Sequence, residues 1–199
     1  MKLYFASGNE HKKIEMTRLL DGYELVLPKE EGIEFDCEET GTSFIENAMI
    51  KAKALYSIVH APVLSDDSGL IVEALGGKPG IYTARYGEDE AGRKLSSEEK
   101  YRLLLKNLEG ETNRKAEFTA ALCLMISETE IYIIQENNKG QIALEPSGKE
   151  GFGYDPVFII DACGKISAEL TGEEKDKYSH RGKAARLMKK ILDQKEKNI

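Results

Sequence analysis

The spacing of apolar residues predicts strands and helices that are interspersed along the whole chain. Residues 2–6 (KLYFA) predict a short strand, and a helix from about Asn9 to Leu20 follows the polar loop after it. Residues 23–27 and 33–36 predict two further strands. Interspersed strands and helices are typical of a mixed sheet flanked by helices, so we predict the α/β class.

The second predicted helix has the clearest start. Ser43 and Glu46 fit a capping box, in which each side chain accepts a hydrogen bond from the other residue's backbone N–H. Lys51 falls on the apolar stripe of this helix, where a solvated lysine is not normally placed. Two interpretations stay open for Lys51, because it could extend past the core edge to solvent or reach a phosphate. The stripe itself follows the helical repeat through Phe44, Ala48, Leu55 and Val59.

The remaining segments continue this pattern. Residues 62–72 form an apolar stretch interrupted by a polar turn, and residues 96–108 predict a helix. Residues 115–126 and 130–144 suit a long antiparallel pair, and the segment PVFII predicts a strand after a glycine-rich loop. The last helix begins near Ser179, and its predicted buried stripe consists of Ala184, Leu187, Met188, Ile191 and Leu192.

The composition narrows the class of protein. A chain of 199 residues with 41% hydrophobic and 32% charged residues suits one globular domain over residues 1–199. Its formal charge of −7 disfavours binding to a nucleic-acid backbone. No apolar run approaches the roughly 20 residues of a membrane span, and the N-terminus turns polar too early for a signal peptide. Three scattered cysteines favour reduced thiols, so we expect a cytoplasmic protein with no nucleic-acid or membrane partner.

The first candidate site is the segment ASGNEHKK, residues 6–13. Ser7, Gly8 and Asn9 can turn tightly and expose backbone N–H groups at a helix start, which is a natural seat for phosphate. Lys12, one turn into the helix, could reach the same anion. Plain helix capping by Ser and Asn is the alternative, and it stays open here. The chain has no GxxxxGK[ST] motif, so this segment is not a P-loop.

The second candidate is the acidic pair in the segment SDDSG, which lies between apolar residues. Burial of Asp66 and Asp67 is costly unless a cation pairs with them, and Mg²⁺ would do so. On an extended segment the two side chains point to opposite sides, so only one faces a given ligand. An Asx-type turn that joins two strands is the alternative interpretation.

Two segments in the last quarter of the chain add candidates. In GFGYDP, glycines flank Phe152, whose ring could stack on a base while Asp155 accepts its N–H groups; a hairpin with an aromatic plug is the alternative. Lys175, His180 and Arg181 bring positive charge to the start of the last helix, the end that favours anions. Such a conflict with local preference is typical of a functional site, and an anion or electron-rich ligand would resolve it.

In chain order these segments form a set of motifs: SGNxxK, EETGxxFxENAxxKA, DDSGL, GGxPGIYxARY, GFGYDPxF, AELTxEEK and SHRG. The set resembles the inosine triphosphate pyrophosphatase family over residues 2–192, without a departure at any motif position. The motifs HExxH, GxSxG and CxxC are absent, which disfavours zinc hydrolases and serine esterases. The resemblance implies hydrolysis of the non-standard purine nucleotides ITP, dITP and XTP to the nucleoside monophosphate and pyrophosphate.

The resemblance also implies a fold and a set of site residues. The implied fold is a long, curved mixed sheet flanked by helices that form two lobes with a central cleft, in a homodimer. Glu39 and Asp67 are the implied ligands of Mg²⁺, and Asp67 is also the implied proton acceptor. The implied triphosphate-binding residues are Ser7, Gly8, Asn9, Glu10, His11 and Lys12. The other implied substrate contacts are Lys51, Ser68, Lys175, Phe152, Gly153, Tyr154, Asp155, His180 and Arg181, with Gly77, Pro79 and Arg85 in the cleft wall.

The expected reaction is attack of water on the α-phosphorus of a small-molecule nucleotide. Such transfer needs charge neutralisation and positioning, which the lysines would supply while Asp67 deprotonates the water. His180 and Arg181 could donate to the 6-oxo group of inosine or xanthine, a group that adenine lacks. The nearest alternative is a Maf-type nucleotide pyrophosphatase that acts on other modified nucleotides. A catalytically silent nucleotide-binding regulator and an RNA-associated protein are further alternatives, which the two acids and the negative charge disfavour.

Overall fold

The computed structural model describes residues 1–197, and its strands form one mixed sheet. The described strands are β1 (Lys2–Ala6), β2 (Glu24–Val26), β3 (Val63–Val72), β4 (Lys115–Ser127), β5 (Glu130–Ile142), β6 (Phe158–Ile160) and β7 (Lys165–Ile166). They lie in the order β2-β1-β3-β4-β5-β6-β7. Strand β1 is parallel to β2 and β3, whereas β6 is antiparallel to β5 and β7. The prediction of a mixed sheet with helices is confirmed.

Four of the described α-helices begin after a residue whose side chain caps the helix. Asn9, Ser43, Ser96 and Thr171 each occupy an N-cap and accept a hydrogen bond from a backbone N–H in the first turn. The described α-helices are α1 (Glu10–Leu19), α2 (Phe44–Val59), α3 (Glu88–Ala91), α4 (Ser97–Asn107), α5 (Gly172–Tyr178) and α6 (His180–Glu196). Short 3-10 turns cover Pro28–Glu31, Glu73–Leu75, Gly80–Arg85, Asp155–Val157 and Ser167–Glu169.

Two predicted local structures are wrong in the first half of the chain. Residues 33–36 belong to no strand, because no described strand pairs with them, although alternate side chains of this segment are half-buried. Residues 62–72 contain no polar turn, because β3 runs unbroken through the segment SDDSG. The two acids therefore lie within a central strand of the sheet.

Three smaller corrections concern caps and burial. The capping box at α2 is half formed, because Glu46 accepts from Thr42 N at 2.6 Å rather than from Ser43 N. Helix α5 was not predicted, and the predicted strand PVFII begins only at Phe158 because a 3-10 turn occupies its start. On α6 Leu187 is 38% exposed and does not belong to the buried stripe.

The chain divides into two compact units, and each has a hydrophobic core of its own. Of the described residues, the first unit comprises 1–67, 120–136 and 181–197, and the second comprises 68–119 and 137–180. The core of the first unit centres on Leu3, Phe5 and Met16, and that of the second on Leu70, Leu104 and Phe158. That residues 1–199 act as one two-lobed domain stays a prediction.

Two further observations concern membrane-spanning helices and the cysteines. No helix in the described range combines the length and the apolar composition that crossing a membrane requires. Cys37, Cys123 and Cys163 are free thiols in the structure, and Cys123 is the buried one of the three.

Candidate active site

The start of α1 has the geometry of a capped helix. Asn9 Oδ1 accepts from Lys12 N at 3.2 Å, and Ser7 Oγ accepts from Asn9 N at 3.1 Å. The capping interpretation of these two side chains is therefore confirmed, and phosphate binding by the same turn stays a prediction. Gly8 is exposed, and a Cβ added there would meet nothing within 4 Å, so packing does not require this glycine.

Lys12 and Arg181 converge on one buried carboxylate in the first unit. Asp66 Oδ1 accepts from Lys12 Nζ at 2.8 Å, and Asp66 Oδ2 accepts from Arg181 Nε at 2.5 Å. The Asp66 side chain has no exposed surface, and Arg181 is 2% exposed. Arg181 Nη1 also donates to Glu15 on α1 at 2.6 Å. An anion was predicted beside the positive charge at the start of α6, and for Arg181 the anions are carboxylates of the protein itself.

Lys51 joins the second member of the acidic pair to the loop before α2. Its Nζ donates to Asp67 Oδ1 at 2.7 Å and to Glu39 Oε1 at 2.9 Å. It also donates to the carbonyl oxygen of Asp66 at 3.0 Å. Lys51 is only 8% exposed, so the interpretation in which it extends to solvent is wrong.

The neighbouring acids Asp66 and Asp67 have opposite pKa shifts. Burial disfavours the charged form of Asp66, but Arg181 and Lys12 outweigh burial and hold its pKa well below the usual range. Burial raises the pKa of Asp67, and the attraction of Lys51 and Lys12 does not offset it. Asp67 is consequently the stronger base of the two, as a proton acceptor requires.

The two lysines also differ in their pKa. Burial lowers the pKa of Lys12, and the positive charges of Lys51 and Arg181 add to this effect, while Asp66 opposes it. Burial acts on Lys51 in the same direction, but Asp67 and Glu39 outweigh it and raise the pKa of Lys51. The carboxylates beside Lys51 therefore favour its charged form against the effect of burial.

A second cluster of polar groups lies within the second unit, around Asp155. Asp155 Oδ2 accepts from Phe152 N at 2.8 Å and from Lys175 Nζ at 2.7 Å, and Oδ1 accepts from Ser167 Oγ at 2.8 Å. Lys175 Nζ also lies 5.1 Å from the centroid of the Phe152 ring. A Cβ on Gly151 would stand 2.2 Å from Asp155 Oδ2, so this turn requires glycine. The carboxylate thereby fixes both the loop and the lysine that were predicted to contact substrate.

Two aromatic side chains of the second unit, those of His180 and Tyr154, make further contacts. The His180 ring stacks on Phe118, with centroids 4.9 Å apart and planes at 10°. Tyr154 is 3% exposed, packs in the core of its unit and donates from its hydroxyl to Thr83 O at 3.1 Å. Tyr154 thus has a structural role, whereas a base contact by its side chain stays a prediction.

The other predicted residues are less closely tied to these clusters. Glu10 and His11 are exposed on α1, and Glu10 forms an ion pair with Lys29. Ser68 is half-buried on β3, directly after the acidic pair. Arg85 is exposed and lies over the Tyr82 ring at 4.9 Å, while Gly77 is half-buried and Pro79 is buried. Their predicted substrate contacts stay predictions.

Sequence reasoning missed three residues that hold these clusters together, Glu15, Phe118 and Ser167, and gave no role to Asn47, which lies one helical turn before Lys51. Asn47 is fully buried, and its Oδ1 accepts from Gly41 N at 2.8 Å, which anchors the loop that carries Glu39. A signal was present for Glu15, because it follows Lys12 by three residues and so lies on the same helix face. Phe118 and Ser167 carry no such signal, because their partners are distant in sequence.

The comparisons with known proteins agree with the resemblance. A family model described as the Ham1 family matches residues 3–191. A protein of Treponema denticola named dITP/XTP pyrophosphatase is 53% identical over 184 residues, which cover 92% of this chain and 94% of that protein. The solved Ham1 proteins of Staphylococcus aureus and Coxiella burnetii are 35% and 36% identical, with TM-scores of 0.85 and 0.86. Each likeness covers 98% of this chain, with 100% and 99% of the respective solved chains. Because the family model spans nearly its whole length, this chain belongs to the Ham1 family.

Proposed function

We propose that this protein hydrolyses the non-standard purine nucleoside triphosphates ITP, dITP and XTP to the nucleoside monophosphate and pyrophosphate. The observation that carries the proposal is the buried cluster in which the cations of Lys12, Lys51 and Arg181 surround the acidic pair of β3. The relatives support it, since the matching proteins of Treponema denticola and Aquifex aeolicus are named dITP/XTP pyrophosphatases. The Maf-type alternative is not favoured, because the chain belongs to the Ham1 family.

Asp67 is the proposed general base. Its raised pKa makes it a better proton acceptor than an ordinary aspartate, and Lys51 holds Oδ1 in place at 2.7 Å. We propose that Asp67 orients the attacking water and takes its proton, while Lys12 and Lys51 neutralise the phosphates. Most of the rate then comes from positioning and charge stabilisation, as in other phosphoryl transfers.

Glu39 and Asp67 are the proposed protein ligands of Mg²⁺. Both carboxylates bind the Lys51 ammonium, at 2.9 and 2.7 Å, so two acids converge on one cation in the structure. Within residues 1–197 no set of three His, Cys, Asp or Glu side chains is placed to hold a metal. Two carboxylates completed by water and phosphate oxygens form a ligand set that suits Mg²⁺. When bound, the ion would neutralise developing charge on the phosphates.

Base recognition is proposed for the second cluster together with His180, the first residue of α6. Phe152 offers a half-buried ring for stacking, and His180 is the proposed donor to the 6-oxo group, since the Arg181 guanidinium already binds Asp66 and Glu15 in the first unit. Adenine has an amino group at that position, and a buried donor left unpaired costs about 1–3 kcal/mol. The proposal therefore includes discrimination against ATP.

Turnover of a panel of nucleotides tests the proposed function. ITP, XTP, dITP, GTP and ATP are each assayed with Mg²⁺ and with EDTA, and the products are identified by chromatography. We expect monophosphate and pyrophosphate from ITP, dITP and XTP, loss of turnover in EDTA, and little turnover of ATP. Release of inorganic phosphate and a diphosphate, or preferential turnover of ATP, would contradict the proposal.

We further propose that the protein is a homodimer of the cytoplasm, where its nucleotide substrates are dissolved. The free thiols support a reducing compartment, and the net negative charge disfavours a nucleic-acid partner. Sedimentation equilibrium over a range of concentrations tests the oligomeric state, with twice the chain mass of 22.2 kDa expected for the dimer.

A further inference from the structure

One residue of the first unit touches all three cations of the candidate active site. The Asp66 carboxylate binds Lys12 and Arg181, and its backbone carbonyl oxygen accepts from Lys12 Nζ at 3.3 Å and from Lys51 Nζ at 3.0 Å. These cations come from α1, α2 and α6, so one short segment of β3 connects three helices. The resemblance assigned roles to Asp67 but none to Asp66.

Asp66 is unsuited to proton transfer or metal binding. Its side chain has no exposed surface, and both carboxylate oxygens already accept from cationic donors. A carboxylate that is held ionised by two cations is a weak base. A ligand would also have to displace a lysine or an arginine to reach it. Because of these contacts, Asp66 acts on the cations that it binds and does not contact the substrate directly.

We propose that Asp66 is a positioning residue of the proposed pyrophosphatase, one that holds the Lys12 ammonium and the Arg181 guanidinium in fixed places before substrate arrives. The inference rests on the proposed function. Lysine has four rotatable side-chain bonds and a compact charge, so a Lys12 without a buried partner would sample many positions. The carboxylate removes this freedom for Lys12, and its contact with Nε orients the planar guanidinium of Arg181.

Asp66→Asn is the informative substitution, because it keeps the size of the side chain and removes the charge that binds both cations. The substitution removes none of the cations that attract the phosphates. We therefore expect kcat for ITP to fall by about 10- to 100-fold, the scale of misplacing a catalytic group, while KM changes less than about threefold. A purely structural role would lower the melting temperature and leave kcat per folded molecule unchanged.

A double-mutant cycle shows whether Asp66 acts through Lys12. Once Lys12→Met has removed the ammonium, adding Asp66→Asn is expected to lower kcat much less than it does in the parent protein. Glu15→Gln is the matched control, because Glu15 is another buried carboxylate that accepts from Arg181, at 2.6 Å from Nη1. Its effect on kcat is expected to multiply with that of Lys12→Met, as independent effects do.

The outcomes separate the inference from the proposed function. If the parent releases no pyrophosphate from ITP, dITP or XTP, the proposed function fails. If the parent is active and folded Asp66→Asn retains kcat within twofold, or if its effect multiplies fully with that of Lys12→Met, the inference fails. If Asp66→Asn alone does not fold, the double variant Asp66→Asn/Lys12→Met is used, because it removes two opposite charges together. Its kcat is then compared with that of Lys12→Met. Similar values support the inference, and a much lower kcat of the double variant contradicts it. All kinetics are measured well below the melting temperatures found by circular dichroism.

Discussion

Asp66 and Asp67 are consecutive residues of one strand, yet their carboxylates bind different cations and their pKa values shift in opposite directions. Strand geometry explains the separation, because successive side chains point to opposite faces of a sheet. Asp66 faces Lys12 and Arg181, whereas Asp67 faces Lys51. Two carboxylates with pKa values pushed apart by their surroundings are suited to two different tasks.

Asp67→Asn is expected to leave the fold intact and to lower kcat by about 10²-fold or more, the size of a general-base contribution. The amide keeps an oxygen for the Lys51 ammonium but cannot take a proton from water. Steady-state kinetics with ITP and circular dichroism provide the measurement. Asp89→Asn on exposed α3 is the control and should match the parent protein. Near-normal turnover by Asp67→Asn would remove Asp67 from its central role.

Lys51→Met is expected to destabilise the protein by about 3 kcal/mol, because it leaves two partly buried carboxylates without their shared cation. Urea unfolding with and without Mg²⁺ measures the free energy of unfolding. Added Mg²⁺ should recover more stability in Lys51→Met than in the parent, since the ion can replace the lost ammonium between Glu39 and Asp67. Lys53→Met, exposed on the same helix, is the control. Equal stability of the two variants would contradict the buried role of Lys51.

Gly151→Ala is expected to destabilise the Asp155 cluster through a direct clash. Gly151 has φ of +77°, and an added Cβ would stand 2.2 Å from Asp155 Oδ2. Gly164→Ala is the matched control, because Gly164 has φ of +67° and no atom within 4 Å of an added Cβ. Both variants carry a backbone cost of about 1–2 kcal/mol, so the additional loss in Gly151→Ala measures the clash. Thermal unfolding of both proteins checks this. Equal losses of stability would show that the Asp155 side chain moves away from the added Cβ at no cost.

Glu99 is expected to titrate well below an ordinary glutamate. The side-chain contact with Arg93 lowers its pKa, as do hydrogen bonds from the backbone and side chain of Ser96, and the pKa falls to about 2. Because the folded pKa lies below the unfolded one, the contribution to stability is present above about pH 4.3 and is lost as the pH falls toward 2. NMR titration of the side-chain carboxyl gives the midpoint. Arg93→Ala should raise it, and an unchanged midpoint would refute the assigned cause.

Much of the local structure could be predicted from the sequence because its causes are local. The capping residues Asn9 and Ser43 predicted the starts of α1 and α2. Apolar spacing predicted the buried positions of Ala184, Met188 and Leu192. The resemblance of the motifs predicted the family. The opposite orientation of Asp66 and Asp67 likewise followed from strand alternation alone.

The partners of the charged residues were decided only by the tertiary structure. The sequence could state that Arg181 at a helix start needs an anion, but Asp66 precedes it by 115 positions, and that separation leaves no periodic signal. Residues 62–72 had both a turn and a strand as local options, and pairing within the sheet selected the strand. Local geometry depends on neighbours along the chain, which the sequence lists in order. The energy of a buried charge depends on whichever groups the fold brings beside it.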